Sequence, residues 1–394
     1  MMAKPTHSAT PAGICLHQAV GGTEAWHRLS VAFYSRVDRD PRLRPLFAGK
    51  TLRCAIDELT AFLAQLFGGP AEDSQHRWWL SLRESHQRFT IGQEERAAWM
   101  ENMVGALDDV QLAEPLRSAL HEFFGNASAH VVNRGVSVPA AQDPGGPPAD
   151  PVRREIAQCW QSQREIDEVV AAVRAGEGER AVALAGSSLL PARFQRDRSV
   201  LTGLLRMMLG SRNQTMAAYL RETIISDPAL VRERCAGRTL LHEAAAKGNR
   251  AMVELLLRLG ADAAANTGAG HKPLYCLANE YTAPDGGEVV RALVNGGADV
   301  DACDGVKHCT ALHMAARRGN AETAKALLDC GARIEARDSL GDTPLRRAVN
   351  CDKVPVAELL LRRGARVDSI GNKGLTPLLA ARSAAMKDLL GRRL

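Results

Sequence analysis

Apolar residues recur at spacings of three and four along almost the whole chain, which is the spacing of one face of an α-helix. Between residues 23 and 37, for example, Leu29, Phe33, Tyr34 and Val37 fall on one apolar stripe. The alternation of β-branched and polar residues that is typical of strands is nearly absent. The pattern therefore predicts an all-α protein.

The helical pattern is interrupted by the segment VPAAQDPGGPPADP at residues 138–151. Its five prolines and two glycines, with almost no large apolar residue, favour a linker over a helix. A chain of 394 residues is long enough for two or three domains. We therefore expect five segments: an N-terminal tail (1–13), a globular domain (14–135), a linker (136–152), a helical region with degenerate repeats that caps an array (153–236) and the array itself (237–394).

The C-terminal part carries an internal repeat. Thr310, Thr343 and Thr376 are spaced by 33 residues, and the same interval separates Thr239 from Lys272 in a drifted copy of the motif. Each helix pair is followed by a Gly-Ala-Asp or Gly-Ala-Arg marker. A 33-residue period with T-P-L-H-x-A and G-A-D markers resembles the ankyrin repeat. The resemblance implies helix pairs that stack into a solenoid and offer a surface to a protein partner.

The residues that recur from one repeat to the next have structural explanations. Threonine at the start of the first helix can cap backbone amides that lack an intrahelical acceptor. His242 and His313 are expected to hydrogen-bond the backbone of a neighbouring loop, so we predict no catalytic role for them. Glycine stands where a helix must end in a left-handed turn, at Gly260, Gly297, Gly331 and Gly364.

Composition and charge disfavour several classes of function. The net charge is +5 and the pI is near 8.8, but the arginines are dispersed along helices, so nucleic-acid binding is not favoured. No apolar run approaches the roughly 20 residues that a membrane-spanning helix needs. The N-terminus lacks the pattern of a secretory signal. Nine scattered cysteines without a C-x-x-C pair favour free thiols in a reducing cytoplasm.

The N-terminal domain contains several motifs in register, each of which would be weak alone. They are V-G-G followed by F-Y-x-x-V (20–37), D-P-x-L-R-P-L (40–46), F-L-x-Q-x-F-G-G-P (62–70), R-x-x-H-x-x-F-x-I-G (83–92) and E-R-x-A-W (95–99). Together they resemble the truncated haemoglobins, and within them the group II type. The resemblance implies a short globin with two helices packed over two, and haem b as its cofactor.

The resemblance also implies roles for individual residues. His86 matches the proximal histidine, whose imidazole nitrogen binds the haem iron. Tyr34 and Trp99 match distal residues that donate hydrogen bonds to a bound diatomic gas. Ala55 occupies the position where animal globins usually carry a distal histidine, and its small side chain leaves the polar contacts to Tyr34 and Trp99. Arg83 is expected to pair with a haem propionate.

The remaining positions that match the cofactor pocket are apolar, namely Phe33, Phe47, Leu59, Phe62, Phe89 and Met103. The chain departs from the family pattern in three places. Ser85 stands where a basic residue is usual, which removes one expected propionate partner. Residues 78–80, Trp-Trp-Leu, replace a G-H-P motif. Phe47 replaces a tyrosine that some members carry, which deletes one distal hydroxyl.

The leading interpretation is a haem protein that binds oxygen, nitric oxide or carbon monoxide and engages a protein partner through its ankyrin repeats. The repeats either target the haem domain to that partner or report the state of the haem as a sensor. One alternative is an enzyme, a nitric oxide dioxygenase or a peroxidase. It would need a separate reductase, because no Gly-x-Gly-x-x-Gly follows a strand. The other alternative is an ankyrin scaffold that binds no haem.

Overall fold

The computed structural model describes residues 15–47, 51–70, 80–135, 150–187, 189–211, 213–371 and 374–392. Within these ranges the chain is mostly helical and forms no strand, apart from an isolated bridge between Cys235 and Arg238. The all-α prediction is therefore confirmed. The predicted tail (1–13), most of the predicted linker (136–149) and the Trp78-Trp79 pair lie outside the described residues. No helix in the described part of the chain is long and apolar enough to cross a membrane.

The chain forms two compact units, Met1–Leu201 and Thr202–Leu394. Among the described residues, the first unit starts with six α-helices and a 3-10 turn at Arg44–Phe47. The helices are α1 (Leu16–Val20), α2 (Gly22–Val37), α3 (Arg53–Leu66), α4 (Leu82–His86), α5 (Gln93–Asp109) and α6 (Leu116–His130). Helix α2 packs against both α3 and α5, and α5 packs against α6.

The apolar stripe of α2 forms the centre of this first core. Trp26, Leu29, Phe33 and Val37, spaced by three and four residues, are all buried to within 1% of full burial. The ring of Trp26 also stacks on Phe67, with 5.2 Å between the ring centroids. Burying one such side chain contributes roughly 1.5–3 kcal/mol, so this stripe is sufficient to fix α2 against its neighbours.

Further helices of the first unit follow the linker. They are α7 (Pro151–Ala175), α8 (Gly178–Ala185), α9 (Leu190–Arg196) and the first residues of α10 (Arg198–Gly210). Helix α7 begins at Pro151 because Asp150 accepts a hydrogen bond from the amide of Val152 at 2.9 Å, while proline suits the first helical position.

Helix α7 extends the core of the N-terminal domain. Ile156 and Cys159 belong to the same buried cluster as the stripe of α2, and the ring of Trp160 lies edge-on to Phe123 at 5.7 Å. The sequence predicts 153–236 as one region beside the repeats, whereas the boundary between the two units falls after Leu201. The reason is the apolar face of α7, which the helices of residues 15–133 cover.

The second unit continues with α11 (Gln214–Ser226), a 3-10 turn at Pro228–Val231 and a series of helix pairs. The pairs are α12 (Leu240–Ala246) with α13 (Arg250–Arg258), α14 (Pro273–Glu280) with α15 (Gly286–Asn295), α16 (Ala311–Arg318) with α17 (Ala321–Asp329), α18 (Pro344–Asn350) with α19 (Val354–Arg362), and α20 (Pro377–Ala380) with α21 (Ala384–Gly391). First helices stack on first helices and second helices on second helices, as a solenoid of repeats requires.

The threonine and glycine positions of the repeats behave as predicted. The hydroxyl oxygen of Thr343 accepts a hydrogen bond from the amide of Arg346 at 3.3 Å, which caps helix α18. The four marker glycines have left-handed backbones, with φ angles of 86°, 94°, 90° and 92° at Gly260, Gly297, Gly331 and Gly364. A side chain at any of these positions would strain the turn between two repeats.

The two repeat histidines join neighbouring repeats through their rings. Nδ1 of His242 accepts a hydrogen bond from the amide of Thr239 at 3.2 Å, and Nε2 lies 3.1 Å from the backbone oxygen of His271 in the next repeat. His313 repeats the arrangement, with its Nε2 at 3.0 Å from the backbone oxygen of Asp342. An amide only donates and a carbonyl only accepts, so both rings are held in the neutral tautomer with hydrogen on Nε2.

These neutral, buried rings predict acid sensitivity of the repeat array. Burial lowers the pKa of His242 to about 4 and also lowers the pKa of His313. Because the unfolded chain binds protons near pH 6.5 and the folded array does not, stability is lost as the pH falls from about 6.5 towards 4. We expect His242 alone to cost about 3 kcal/mol of unfolding free energy over this range.

Urea unfolding followed by far-UV circular dichroism at pH 7 and pH 4.5 measures this loss. All five tryptophans precede residue 161, so tryptophan fluorescence follows the first unit separately. The variant His242→Asn should be less stable at pH 7 and should lose less stability on acidification. The exposed His308 supplies the control His308→Asn, which should keep the full loss. An unchanged pH slope in His242→Asn would contradict the prediction.

Candidate functional site

The histidine predicted as the proximal ligand is the last residue of the short helix α4. Its Nδ1 lies 2.8 Å from the backbone oxygen of Leu82, one turn earlier in the same helix. A carbonyl oxygen only accepts hydrogen bonds, so Nδ1 carries the hydrogen and donates it. In the neutral imidazole of His86 the lone pair then lies on Nε2, which is the form that binds a metal.

Ser85 supports the same ring orientation. Its hydroxyl donates to the backbone oxygen of Leu82 at 2.7 Å, and its oxygen lies 2.9 Å from Nδ1 of His86. The serine oxygen is therefore a second acceptor for the Nδ1 hydrogen. The departure from the family pattern at Ser85 replaces a basic side chain by a polar contact to the histidine, and such contacts fix the rings of metal-binding histidines.

The two predicted distal residues meet around Phe33. The ring of Phe33 lies 4.9 Å from that of Tyr34 and 5.0 Å from that of Trp99. Burial raises the pKa of Tyr34 well above its ordinary value, while the charge of Arg88 lowers it and that of Glu58 raises it. The phenol therefore stays protonated at neutral pH and retains a hydrogen to donate.

A series of ring contacts connects the distal residues to the histidine. Phe47 lies 5.8 Å from Tyr34 and 5.3 Å from Phe89, measured between ring centroids. Phe89 lies in turn 6.3 Å from the imidazole of His86. Aromatic rings thus connect Tyr34 with His86, although the two residues are more than fifty positions apart in the sequence.

The other predicted lining residues lie on α3 and α5. Ala55, Leu59 and Phe62 follow one another at spacings of four and three along α3, which puts them on one face. Phe62 is buried, Leu59 packs partly buried against the core, and Ala55 is half-buried. Met103 is fully buried on α5.

Arg83 and Arg88 make different contacts. The guanidinium of Arg83 lies 3.5 Å from Nδ1 of His130, so it is directed towards α6. Arg88 instead lies over the ring of Phe89, 4.8 Å from its centroid, and its charge acts on the phenol of Tyr34. The sequence signal was present, since Arg88 directly precedes the phenylalanine of the R-x-x-H-x-x-F motif, but the register with the family pointed to Arg83.

The side chains around His86 fit a haem group. A haem with one histidine ligand needs an imidazole that presents a lone pair, a slot of apolar side chains and a cation for its propionates. The tautomer of His86 meets the first need, the rings from Tyr34 to Phe89 supply apolar side chains, and Arg88 supplies a cation beside them.

Comparison with known proteins assigns both parts of the chain to families. Residues 15–133 match the family described as bacterial-like globin, while residues 236–267 and 279–371 match ankyrin repeats. The group 2 truncated hemoglobin YjbI of Bacillus subtilis is 32% identical over 113 residues, which are 29% of this chain and 85% of that protein. The group 2 truncated hemoglobin 3-1 of Lotus japonicus is 29% identical over 114 residues, 28% of this chain and 68% of that protein.

The repeats resemble those of much longer proteins. The human ankyrin repeat and SOCS box protein 16 is 34% identical over 125 residues, which are 32% of this chain and only 27% of that protein. The fold and the matches define a globin-type ligand-binding domain joined to ankyrin repeats. Through its N-terminal domain the chain belongs to the group 2 truncated haemoglobins, a membership that implies a haem cofactor.

Proposed function

We propose that the N-terminal domain binds haem b through Nε2 of His86 and holds oxygen or another diatomic gas, while the ankyrin repeats bind a protein partner. The observation that carries this proposal is the hydrogen bond from Nδ1 of His86 to the backbone oxygen of Leu82. It fixes both the tautomer and the direction of the ring. It also makes Nε2 more basic and therefore a stronger ligand for a metal. A reducing compartment such as the cytoplasm suits the protein, because all nine cysteines are free thiols.

Haem supplies an iron centre at which a diatomic gas binds. Tyr34 and Trp99 would act as hydrogen-bond donors to the gas, and the raised pKa of Tyr34 keeps its hydrogen in place. A bound gas that carries partial negative charge is held more strongly by such donors. The aromatic rings of Phe33, Phe47 and Phe89 keep water away from the site, which strengthens these hydrogen bonds.

Arg88 replaces Arg83 in our proposal as the partner of a haem propionate. Its guanidinium lies over Phe89, and Arg88 is exposed, so a carboxylate of the cofactor can meet it. Arg83 is engaged with His130 on the side of α6. Such an exposed ion pair orients the cofactor and contributes modestly to its affinity.

The role of His86 is tested by titrating the haem-free protein with hemin and recording the Soret band. The wild type should bind one equivalent, and His86→Gly should lose the band because the variant lacks the imidazole that would bind the iron. His121→Gly, at an exposed position of α6, is the control and should bind like the wild type. A normal Soret band in His86→Gly would refute the assignment.

The distal donors are tested through oxygen dissociation from the ferrous protein. Tyr34→Phe and Trp99→Phe should each release oxygen about tenfold or more faster, since a hydrogen bond to a charged acceptor contributes about 1.5–3 kcal/mol. Tyr219→Phe removes a phenol from the second unit and should leave the rate unchanged. Unchanged rates in both distal variants would exclude them as donors.

The choice between the two arginines is tested by the rate of haem transfer to an excess of another haem-binding protein. Arg88→Met should lose haem about two- to fivefold faster than the wild type, which corresponds to an exposed ion pair. Arg83→Met should stay close to the wild type. The opposite order would restore the propionate role that the sequence predicts for Arg83.

A further inference from the structure

The buried carboxylate of Asp167, on α7, contacts the helix that carries His86. Its side chain is 3% exposed. One oxygen accepts a hydrogen bond from the amide of Leu82 at 2.9 Å, and the other accepts one from the amide of Arg83 at 3.2 Å. These are the first two amides of α4, which have no acceptor within the helix. Nε2 of His130 lies 2.7 Å from the same carboxylate.

Two other side chains of α7 join the same region. The side-chain amide of Gln163 donates to the backbone oxygen of Leu80 at 2.9 Å and to Asp167 at 2.9 Å. Arg174 forms an ion pair with Glu84 at 2.7 Å. The start of α4 is thus held by side chains that follow their partners by more than eighty positions.

A buried arginine makes the corresponding contact with α3. Arg193 on α9 is 2% exposed, and its guanidinium donates to the backbone oxygens of Leu66 and Gln65 at the carboxyl end of α3. The side chain of Gln65 also donates to the hydroxyl of Ser199 at 3.1 Å. Helix α3 is the one that carries the predicted distal wall of the pocket.

The two charges match the two helix ends. The amino end of an α-helix carries partial positive charge and the carboxyl end partial negative charge. A buried anion at the amino end of α4 and a buried cation at the carboxyl end of α3 are therefore both stabilising. Removing either would leave backbone groups buried without a partner, which costs more than a surface contact.

We propose that residues 150–201, here called the extension, brace the haem pocket: Asp167 positions the helix of the proximal histidine and Arg193 positions the helix of the distal wall, so that haem binding and docking of the extension are thermodynamically linked. This inference rests on the proposed haem function. Linkage is reciprocal, so whatever affinity haem gains from the docked extension, the docking gains from haem. Since the extension leads directly to the repeats in the sequence, haem occupancy changes the stability of the segment that precedes them.

Hydrogen exchange on the full-length protein, without haem and after reconstitution with hemin, tests the linkage without any substitution. Peptides from residues 151–175 and 190–196 should exchange more slowly once hemin is bound. Hemin binding without a change in these peptides would overturn the linkage alone. Failure of hemin to bind would overturn the haem function as well, so the two failures are distinguishable.

Variants test the two positioning residues separately. Asp167→Asn and Arg193→Gln should each lose hemin about tenfold faster, because each removes a charge-assisted contact to a pocket helix. Glu168→Gln on α7 and Arg196→Gln on α9 are matched controls at exposed positions and should stay within about twofold of the wild type.

The site of each effect distinguishes positioning from a general loss of stability. In the haem-free protein, Asp167→Asn should speed exchange in peptides that contain α4 but not in those of α3, and Arg193→Gln should do the reverse. Equal effects on both helices, or hemin loss no faster than in the controls, would overturn the proposal. Far-UV circular dichroism verifies that each variant is folded, and the wild-type exchange comparison decides the linkage if one is not.

Discussion

The hydrogen bond from Nδ1 of His86 to the backbone oxygen of Leu82 is the contact on which the proposed haem site depends. It exists only if residues 82–86 form a helical turn, and five residues are far too few to be stable as an isolated helix. The turn is held by Ser81, which caps the amide of Glu84, and by Asp167, which accepts from the two amides before it. The orientation of the His86 imidazole therefore depends partly on Asp167, which follows the linker in the sequence.

The ring nitrogen that carries the hydrogen differs between His86 and the repeat histidines. His242 bonds backbone groups through both nitrogens, which leaves neither for a metal and suits a ring that connects two repeats. In the first unit, both ring nitrogens of His130 also have partners, which are the side chains of Arg83 and Asp167. At His86 the backbone carbonyl engages Nδ1, so the lone pair lies on the nitrogen opposite. The same side chain thus connects repeats in one unit and suits a metal ligand in the other.

Much of the fold could be predicted because its signals are local. The threonines that recur every 33 residues cap helices, and the glycines end them in left-handed turns. Both signals depend on only a few neighbouring residues. The register of Tyr34, His86 and Trp99 identified residues that the ring contacts bring together. Asp167 and Arg193 could not be predicted, because they act on backbone groups at least 84 and 127 positions away, respectively, and no motif surrounds them. The contact of Arg83 with His130 is likewise a tertiary contact that the sequence does not reveal.

The central claim, that Nε2 of His86 binds haem iron, is tested most directly by resonance Raman spectroscopy of the ferrous, gas-free protein reconstituted with haem. We predict an iron–histidine stretching band that moves when ⁵⁴Fe replaces iron of natural abundance. The band should also move when the protein is made with ¹⁵N-labelled histidine. A ferrous spectrum without such a band, or a band insensitive to the histidine label, would contradict the account.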